Sequence, residues 1–309
     1  MYVKENIHHK KFIFYRYLKI AIMVLYLICL EKSLKIKANE INFEYHNYER
    51  ELITERMKNN SGWELLGNEP YFINGIIRKF KPKKCLEIGV SSGGSSILIL
   101  NAIKDIRNSF LISMDINNRF YRDPNLEVGY NVKNFPELLN KWKLFTGKQP
   151  HHFLEKLNIK FDFLFLDTVH STPGEIINII EVLPFLEENA IVIIHDITLH
   201  LSTKEKFHPS NILLFSGLVG KKIFIPNNEQ GFENIGAILL GPNQYKYYKN
   251  YFLLLCSPWE YFPDEKHIKE LKYFISKYYK NKIYLDLFKK AVLMNRVYLN
   301  KFKINNNYN

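Results

Sequence analysis

Asp167, Thr168 and His170 stand close together in the chain, and His195 and Asp196 form a second polar pair further on. Two carboxylates and an imidazole brought to one place could hold a divalent cation. Oxygen ligands suit Mg2+, while imidazole also admits Mn2+ or another transition metal. A cation there would polarise a hydroxyl and lower its pKa, and a neutral histidine could take the proton. Each residue also has a plainer use. Asp167 could cap a turn, His170 orient a loop, His195 sit satisfied in a loop and Asp196 open a helical segment. His200 and His208 lie in the following loop, within reach of a ligand. His151 and His152 follow Pro150 at a helix start and read as structural.

A second constellation is the stretch CLEIGVSSGGSS, residues 85–96. An apolar run entering a glycine turn and then a helix presents free backbone N–H groups at a helix N-terminus and lets a ligand approach the backbone. The dinucleotide fingerprint G-x-G-x-x-G is absent. Glu87, Gly89, Gly93 and Gly94 stand in its place, with Ser91 where the second glycine would be. A carboxylate at Glu87 repels phosphate and attracts a cation or an amino group. Asp115 ends the next apolar run, where an acid can accept hydrogen bonds from two ribose hydroxyls. The ligand so described has a ribose, an amino-bearing tail and no phosphates, and S-adenosylmethionine fits it.

These residues need a parallel sheet to position them. Short apolar runs alternate with helical patterns over residues 80–241, which argues for βαβ units. Strands are expected at 84–90, 110–116, 143–146, 161–167, 190–194, 222–225 and 235–240, the last two joined as a hairpin. Helices are expected after Gly93, over 134–141, after Pro150 and over 173–188. Every candidate residue then falls at a strand's carboxyl end, facing one crevice. The fold class is α/β: a Rossmann-like, seven-stranded, mostly parallel sheet with helices on both faces and helical extensions at both ends. Three regions follow: an N-terminal helical extension at 1–60, a cofactor-binding domain at 61–241 and a C-terminal helical extension at 242–309. In the last, Leu271, Phe274, Ile275, Tyr278 and Tyr279 could form one face, either as packing, as a dimer interface that would make a homo-oligomer, or as a lid.

The 309 residues carry a net charge of +12, which favours anionic partners, although a solvated Lys-rich surface explains it as well. Three cysteines, none in a CxxC pair, rule out a disulfide framework and a cysteine zinc site and fit a reducing, cytoplasmic compartment. Residues 12–30 are apolar apart from Arg16, Lys19 and several tyrosines. The unbroken apolar part is short for a spanning helix. A packed amphipathic helix, a helix on the inner face of the membrane and a signal peptide all stay open for it.

The runs LEIGVSSGGSS, LISMDIN, FDFLFLDTVHS and AIVIIHDI occur in the order and spacing of class I S-adenosylmethionine-dependent methyltransferases, a resemblance covering about residues 60–241. Within that class the chain resembles the metal-dependent sugar O-methyltransferases and their relatives in the cephalosporin hydroxylase-like group. The resemblance implies a cofactor site at Glu87, Gly89, Ser91, Gly93, Ser95 and Asp115. It implies Mg2+ or Mn2+ at Asp167 and Asp196 and His170 as general base. His195 departs from the pattern, standing where the first acid of a pair is expected, and is carried as the third metal ligand. The expected reaction is methyl transfer to the hydroxyl of a sugar, glycan precursor or other small molecule. A natural-product O-methyltransferase and a non-catalytic scaffold subunit of a glycan-assembly complex are the alternatives. Nucleic acid is not an expected partner: no Asn/Asp-Pro-Pro-aromatic motif and no compact basic-aromatic module is present.

Overall fold

The computed structural model describes residues 65, 67–201, 209–227 and 231–302. The extension expected at 1–60, with the membrane-surface segment 12–30, lies outside the described residues, as does His208. Among the described residues no helix is long and apolar enough to cross a membrane.

The strands in chain order are β1 (Lys84–Ile88), β2 (Phe110–Asp115), β3 (Arg119–Phe120), β4 (Asp123–Glu127), β5 (Trp142–Thr146), β6 (Phe161–Leu166), β7 (Leu186–His195), β8 (Gly220–Asn227) and β9 (Gly231–Leu240). Seven of them form one sheet in the order β5-β2-β1-β6-β7-β9-β8, and β3 and β4 form a separate ribbon. The first five of the sheet run parallel, and β9 runs antiparallel to both β7 and β8. Strand order therefore reverses between β1 and β6. In open α/β sheets that switch point leaves a ligand crevice beyond the strands' carboxyl ends.

The helices are α1 (Glu69–Phe80), α2 (Gly94–Ile103), α3 (Pro150–Leu157), α4 (Gly174–Val182), α5 (Ser210–Gly217), α6 (Tyr248–Leu254), α7 (Glu265–Tyr278) and α8 (Lys282–Phe302). α1 packs with α2, while α4 packs with α3, α5 and α6. In β6, Phe163, Leu164, Phe165 and Leu166 are all fully buried. Successive side chains point to opposite faces, so both faces of the strand are covered, as a continuous apolar run in a parallel sheet requires.

Two sequence expectations shift. Residues 134–141 form no α-helix but two 3-10 turns, Tyr130–Asn134 and Pro136–Lys141, parted by Phe135 in a non-helical conformation just before the proline. The helix expected over 173–188 ends at Val182. Pro184 supplies no N–H to continue it, a 3-10 turn spans Leu183–Phe185, and β7 begins at Leu186. The β3–β4 ribbon carries no strong alternation and was not expected.

The C-terminal helices share the core of the sheet. Leu271, Phe274, Ile275 and Tyr279 belong to the same buried cluster as β6 and α4, with Tyr278 packed against it. Of the three readings of that stripe, packing is the one realised. Tyr279 donates a hydrogen bond to the carbonyl of Ile180 in α4 at 2.6 Å. Asn295 closes the seam: its Oδ1 accepts from the N–H of Trp259 at 2.8 Å, and its Nδ2 donates to the carbonyls of Ser257 and Ala291, both at 3.1 Å. Asn295 is buried, so its partners have no water to turn to. Asn295→Ala is expected to destabilise the protein by about 2–4 kcal/mol through unpaired buried groups. Urea denaturation should show a lowered midpoint with an unchanged slope.

Candidate active site

The glycine turn begins where β1 ends. Gly89 has φ +86°, and a Cβ there would stand 1.6 Å from the backbone oxygen of Asp167 at the end of β6. Only a residue without a Cβ allows the two strand ends to approach so closely. Ser91 and Gly93 also have positive φ, and Gly93 caps α2. The 3-10 segment buttresses the turn: Gly129 N–H donates to Ser91 O at 2.8 Å and Asn131 N–H to Ser92 O at 3.1 Å. Asp115 Oδ2 accepts from the N–H groups of Val90 and Ser91 at 3.0 and 3.3 Å, and its Oδ1 from Asn117 N–H at 2.8 Å. The carboxylate is fixed at the lip of the crevice, half-buried, with lone pairs to spare.

Glu87 and Ser95 are hydrogen-bonded to each other beneath the turn. The Glu87 carboxylate is fully buried beneath the turn and accepts hydrogen bonds from Ser95, Ser96 and Ser113 at 2.6, 2.5 and 2.5 Å. Trp142 extends the chain by donating to Ser113 Oγ at 2.8 Å. Burial pushes the Glu87 carboxyl up to about 7, against the three hydroxyls that favour its charge. This acid is a strut under the turn. Two groups at the turn lack a protein partner: Ser91 Oγ, and both amide atoms of the fully buried Asn131. Asn131 carries no motif that would single it out in the sequence.

The second constellation assembles at the ends of β6 and β7. His170 Nε2 lies 3.2 Å from Asp196 Oδ2 and 3.7 Å from Asp167 Oδ1. One ligand atom each from Asp167, His170 and Asp196 lie within 4.8 Å of one another, a spacing that suits a single cation. Both His170 and Asp196 have positive φ, at 54° and 57°. Such conformations are costly away from glycine and persist only where the surroundings enforce them. Buried Glu175 does so for His170 by accepting its backbone N–H, and it also accepts from Thr168 and Ser210, each at 3.2 Å. Asn234 of β9 does so for Asp196. Its amide donates to Asp196 Oδ1, while its own oxygen accepts from the N–H and hydroxyl of Thr198, both at 2.8 Å.

His195 stands behind this triad. Its Nδ1 lies 3.2 Å from Asp167 and 3.4 Å from Asp196, and its Nε2 lies 3.1 Å from Glu69 of α1. These are ion-pair distances without hydrogen-bond alignment. Burial disfavours the imidazolium, but the charges of Asp167 and Asp196 outweigh it and hold the pKa well above the ordinary histidine value. Burial likewise disfavours the Asp196 anion, and His195, His170 and Asn234 together bring its carboxyl down to about 2. His195 and His170 thus both lie within ion-pair distance of Asp167 and Asp196. Glu69 and Asn234 escape sequence reasoning because each comes from an element distant in the chain, whereas Glu175, five residues after His170, carries no motif that singles it out. His200 lies in the short 3-10 turn Leu199–Leu201.

Residues 86–197 match the family model described as a methyltransferase domain. A comparison with curated proteins found no match. Among solved structures, the chain is similar to a putative O-methyltransferase from Klebsiella pneumoniae (14% identity, TM-score 0.47, covering 62% of this chain and 89% of that one). It is similar to the O-methyltransferase TomG from Streptomyces achromogenes, solved with SAM (14%, TM-score 0.45, 62% and 89%). It is also similar to a putative caffeoyl-CoA O-methyltransferase from Staphylococcus aureus (18%, TM-score 0.46, 70% and 98%).

The buried Glu87 makes a signed prediction. A carboxyl whose pKa rises on folding stabilises the fold fully below its unfolded value and loses that contribution as pH rises through the folded value. Between pH 4.5 and about 7 the wild type should lose about 3 kcal/mol relative to Glu87→Gln, measured by denaturant unfolding across that range. Parallel curves would refute the burial assignment. Gly89→Ala should be still more damaging, because its Cβ meets backbone that cannot move aside. A loss of about 3 kcal/mol or more, or failure to fold, is expected.

Proposed function

We propose that the chain transfers a methyl group from S-adenosylmethionine to the hydroxyl of a sugar or glycan precursor, assisted by a divalent cation, a reading supported by the match of residues 86–197 to a methyltransferase domain. The observation that carries this reading is the contact of Gly89 with the Asp167 backbone. It sets the glycine turn directly against the polar cluster, so that a cofactor on one meets a hydroxyl on the other. The unpartnered Ser91 hydroxyl and Asn131 amide are polar groups suited to a ligand at the turn.

S-adenosylmethionine, when bound, supplies an electrophilic methyl: the acceptor oxygen bonds to its carbon, the carbon–sulfur bond breaks, and sulfur leaves as a neutral thioether. Asp115 would receive the ribose hydroxyls and the turn from Gly89 to Gly93 would hold the amino-acid part, with Glu87 and Ser95 supporting that turn from beneath. Asp167, His170 and Asp196 would hold Mg2+ or Mn2+, a cation that would acidify the acceptor hydroxyl. The two acids and one imidazole, at mutual distances that a single ion spans, support that fit.

A second reading is favoured by His195, whose imidazolium already offsets the charge of Asp167 and Asp196. In that case no metal is needed, and the His170 imidazole, beside Asp196 and Asp167, receives the acceptor's proton at its unprotonated ring nitrogen, the neighbouring carboxylates stabilising the imidazolium so formed. The sugar assignment rests on the sequence resemblance, with the +12 charge suiting an anionic or lipid-linked sugar carrier.

Calorimetric titration with S-adenosylmethionine tests the cofactor site. Binding in the micromolar range is expected, weakened about tenfold or more, about 1.4 kcal/mol, in Asp115→Ala. No binding by folded wild-type protein would sink the reading. Turnover on a panel of sugar acceptors, assayed with EDTA and then with Mg2+ or Mn2+ restored, separates the two variants. Loss and rescue mark cation assistance, whereas activity untouched by EDTA but lost in His170→Ala marks the metal-free route.

A further inference from the structure

Away from the crevice, three histidines and two glutamates converge from three helices. α3 contributes His151 and His152, α4 contributes Glu181, and α7 contributes His267 and Glu270. Glu181 is fully buried, and His151 and His267 are nearly so. Glu181 lies six residues beyond Glu175, about 9 Å further along the axis of α4. The cluster is thus separate from the residues around His170.

His151 Nδ1 lies 2.6 Å from Glu181 Oε1, and His267 Nε2 lies 3.5 Å from the same oxygen. One ligand atom from each of the three residues falls within 4.8 Å of the others. Ligands of a tetrahedral zinc ion stand about 3.3 Å apart, given metal–ligand distances near 2.0 Å. The observed separations bracket that value. On the far side of the His151 ring, Nε2 faces Glu270 Oε2 at 4.0 Å. A carboxylate behind a metal-bound imidazole fixes its tautomer and orientation. His152 Nε2 approaches the same Glu270 oxygen at 3.3 Å, and its ring packs on His151 with centroids 4.1 Å apart.

The charges also need explaining. Among the described residues no Lys or Arg pairs with Glu181 or Glu270; the groups around them are imidazoles and the Asn178 amide, which donates to Glu181 Oε2 at 3.4 Å. A buried carboxylate needs a positive partner.

We propose that His151, Glu181 and His267 form a structural site for a divalent transition metal of the zinc type, with Glu270 orienting His151 from behind. Imidazole nitrogens with one carboxylate select such a metal over Mg2+ or Ca2+. The ion would tie α7 of the C-terminal helices to α3 and α4. A hydrogen-bonded His–Glu–His network without metal is the competing account.

The test uses full-length protein treated with EDTA, exchanged into chelator-free buffer and titrated with Zn2+, with Co2+ as the optical probe. Asp167→Asn serves as the background, because it removes a ligand from the crevice triad. In that variant one equivalent of Zn2+ should bind, Co2+ should give a visible d–d band, and excess Zn2+ should raise Tm by about 5 °C. Adding His267→Gln should abolish all three. If that double variant does not fold, adding Glu181→Gln instead puts the same question. Zn2+ binding that vanishes in Asp167→Asn alone, binding that survives loss of the His267 or Glu181 ligand, or no Zn2+-dependent change at all would overturn the site.

Discussion

The approach of Gly89 to the backbone oxygen of Asp167 is the constraint on which the site depends. β1 and β6 are neighbours in the sheet, and their ladder continues to its last bond, from Asp167 N–H to Ile88 O at 3.0 Å. Beyond it the two chains must turn apart in very little space. A glycine with positive φ lets β1 swing into the turn that leads to α2. β6 then delivers Asp167 beside that turn. Everything else at the site holds these two ends in place: Asp115 from β2, the Gly129–Asn131 segment from one side, and Glu87 from below.

Three fully buried glutamates show how the interior accommodates charge near this point. Glu87 is surrounded by serine hydroxyls, Glu175 by a backbone N–H and two hydroxyls, and Glu181 by imidazoles. Each has hydrogen-bond or ionic partners, as a group removed from water must. Two of the three lie on α4. One end of that helix orders the His170 loop, and the other end meets α3 and α7. The C-terminal region also reaches the His170 loop directly, where the Thr172 hydroxyl donates to the Pro258 carbonyl and the Thr172 carbonyl accepts from the Glu260 N–H, both at 2.9 Å, although none of its described residues enters the polar triad.

His195 carries the local charge balance. An acid at that position would leave three negative groups in contact with Glu69 close by. An imidazole between Asp167, Asp196 and Glu69 replaces one of those charges with a cation. Its burial makes that cation costly in isolation, and the surrounding carboxylates make it favourable. Both the metal-assisted and the metal-free route draw on the same cluster; they differ in whether an added ion or His195 offsets the acids.

The periodicity of the chain was enough to establish the sheet. Runs such as FDFLFL and AIVII have no polar face, so they must be central parallel strands, and the acids that follow them must sit at the carboxyl edge. That is why Asp115, Asp167, His170 and Asp196 were legible as a group before their contacts were known. Local chemistry was legible only where the element was regular. Pro136 and Pro184 broke the helical patterns drawn through them, and the β3–β4 ribbon lacked the alternation that announces a strand. The tertiary structure alone decided the direction each side chain took. Glu87 lies on a strand whose two faces are both covered, so alternation turned its carboxylate inward to three serines rather than toward a ligand. His195 turned behind the triad because Glu69, from a helix over a hundred residues earlier, supplied an acid there. His151 and His152 read singly as structural, and His267 carried no signal at all, since nothing in a one-dimensional pattern brings helices this far apart in sequence against one buried glutamate.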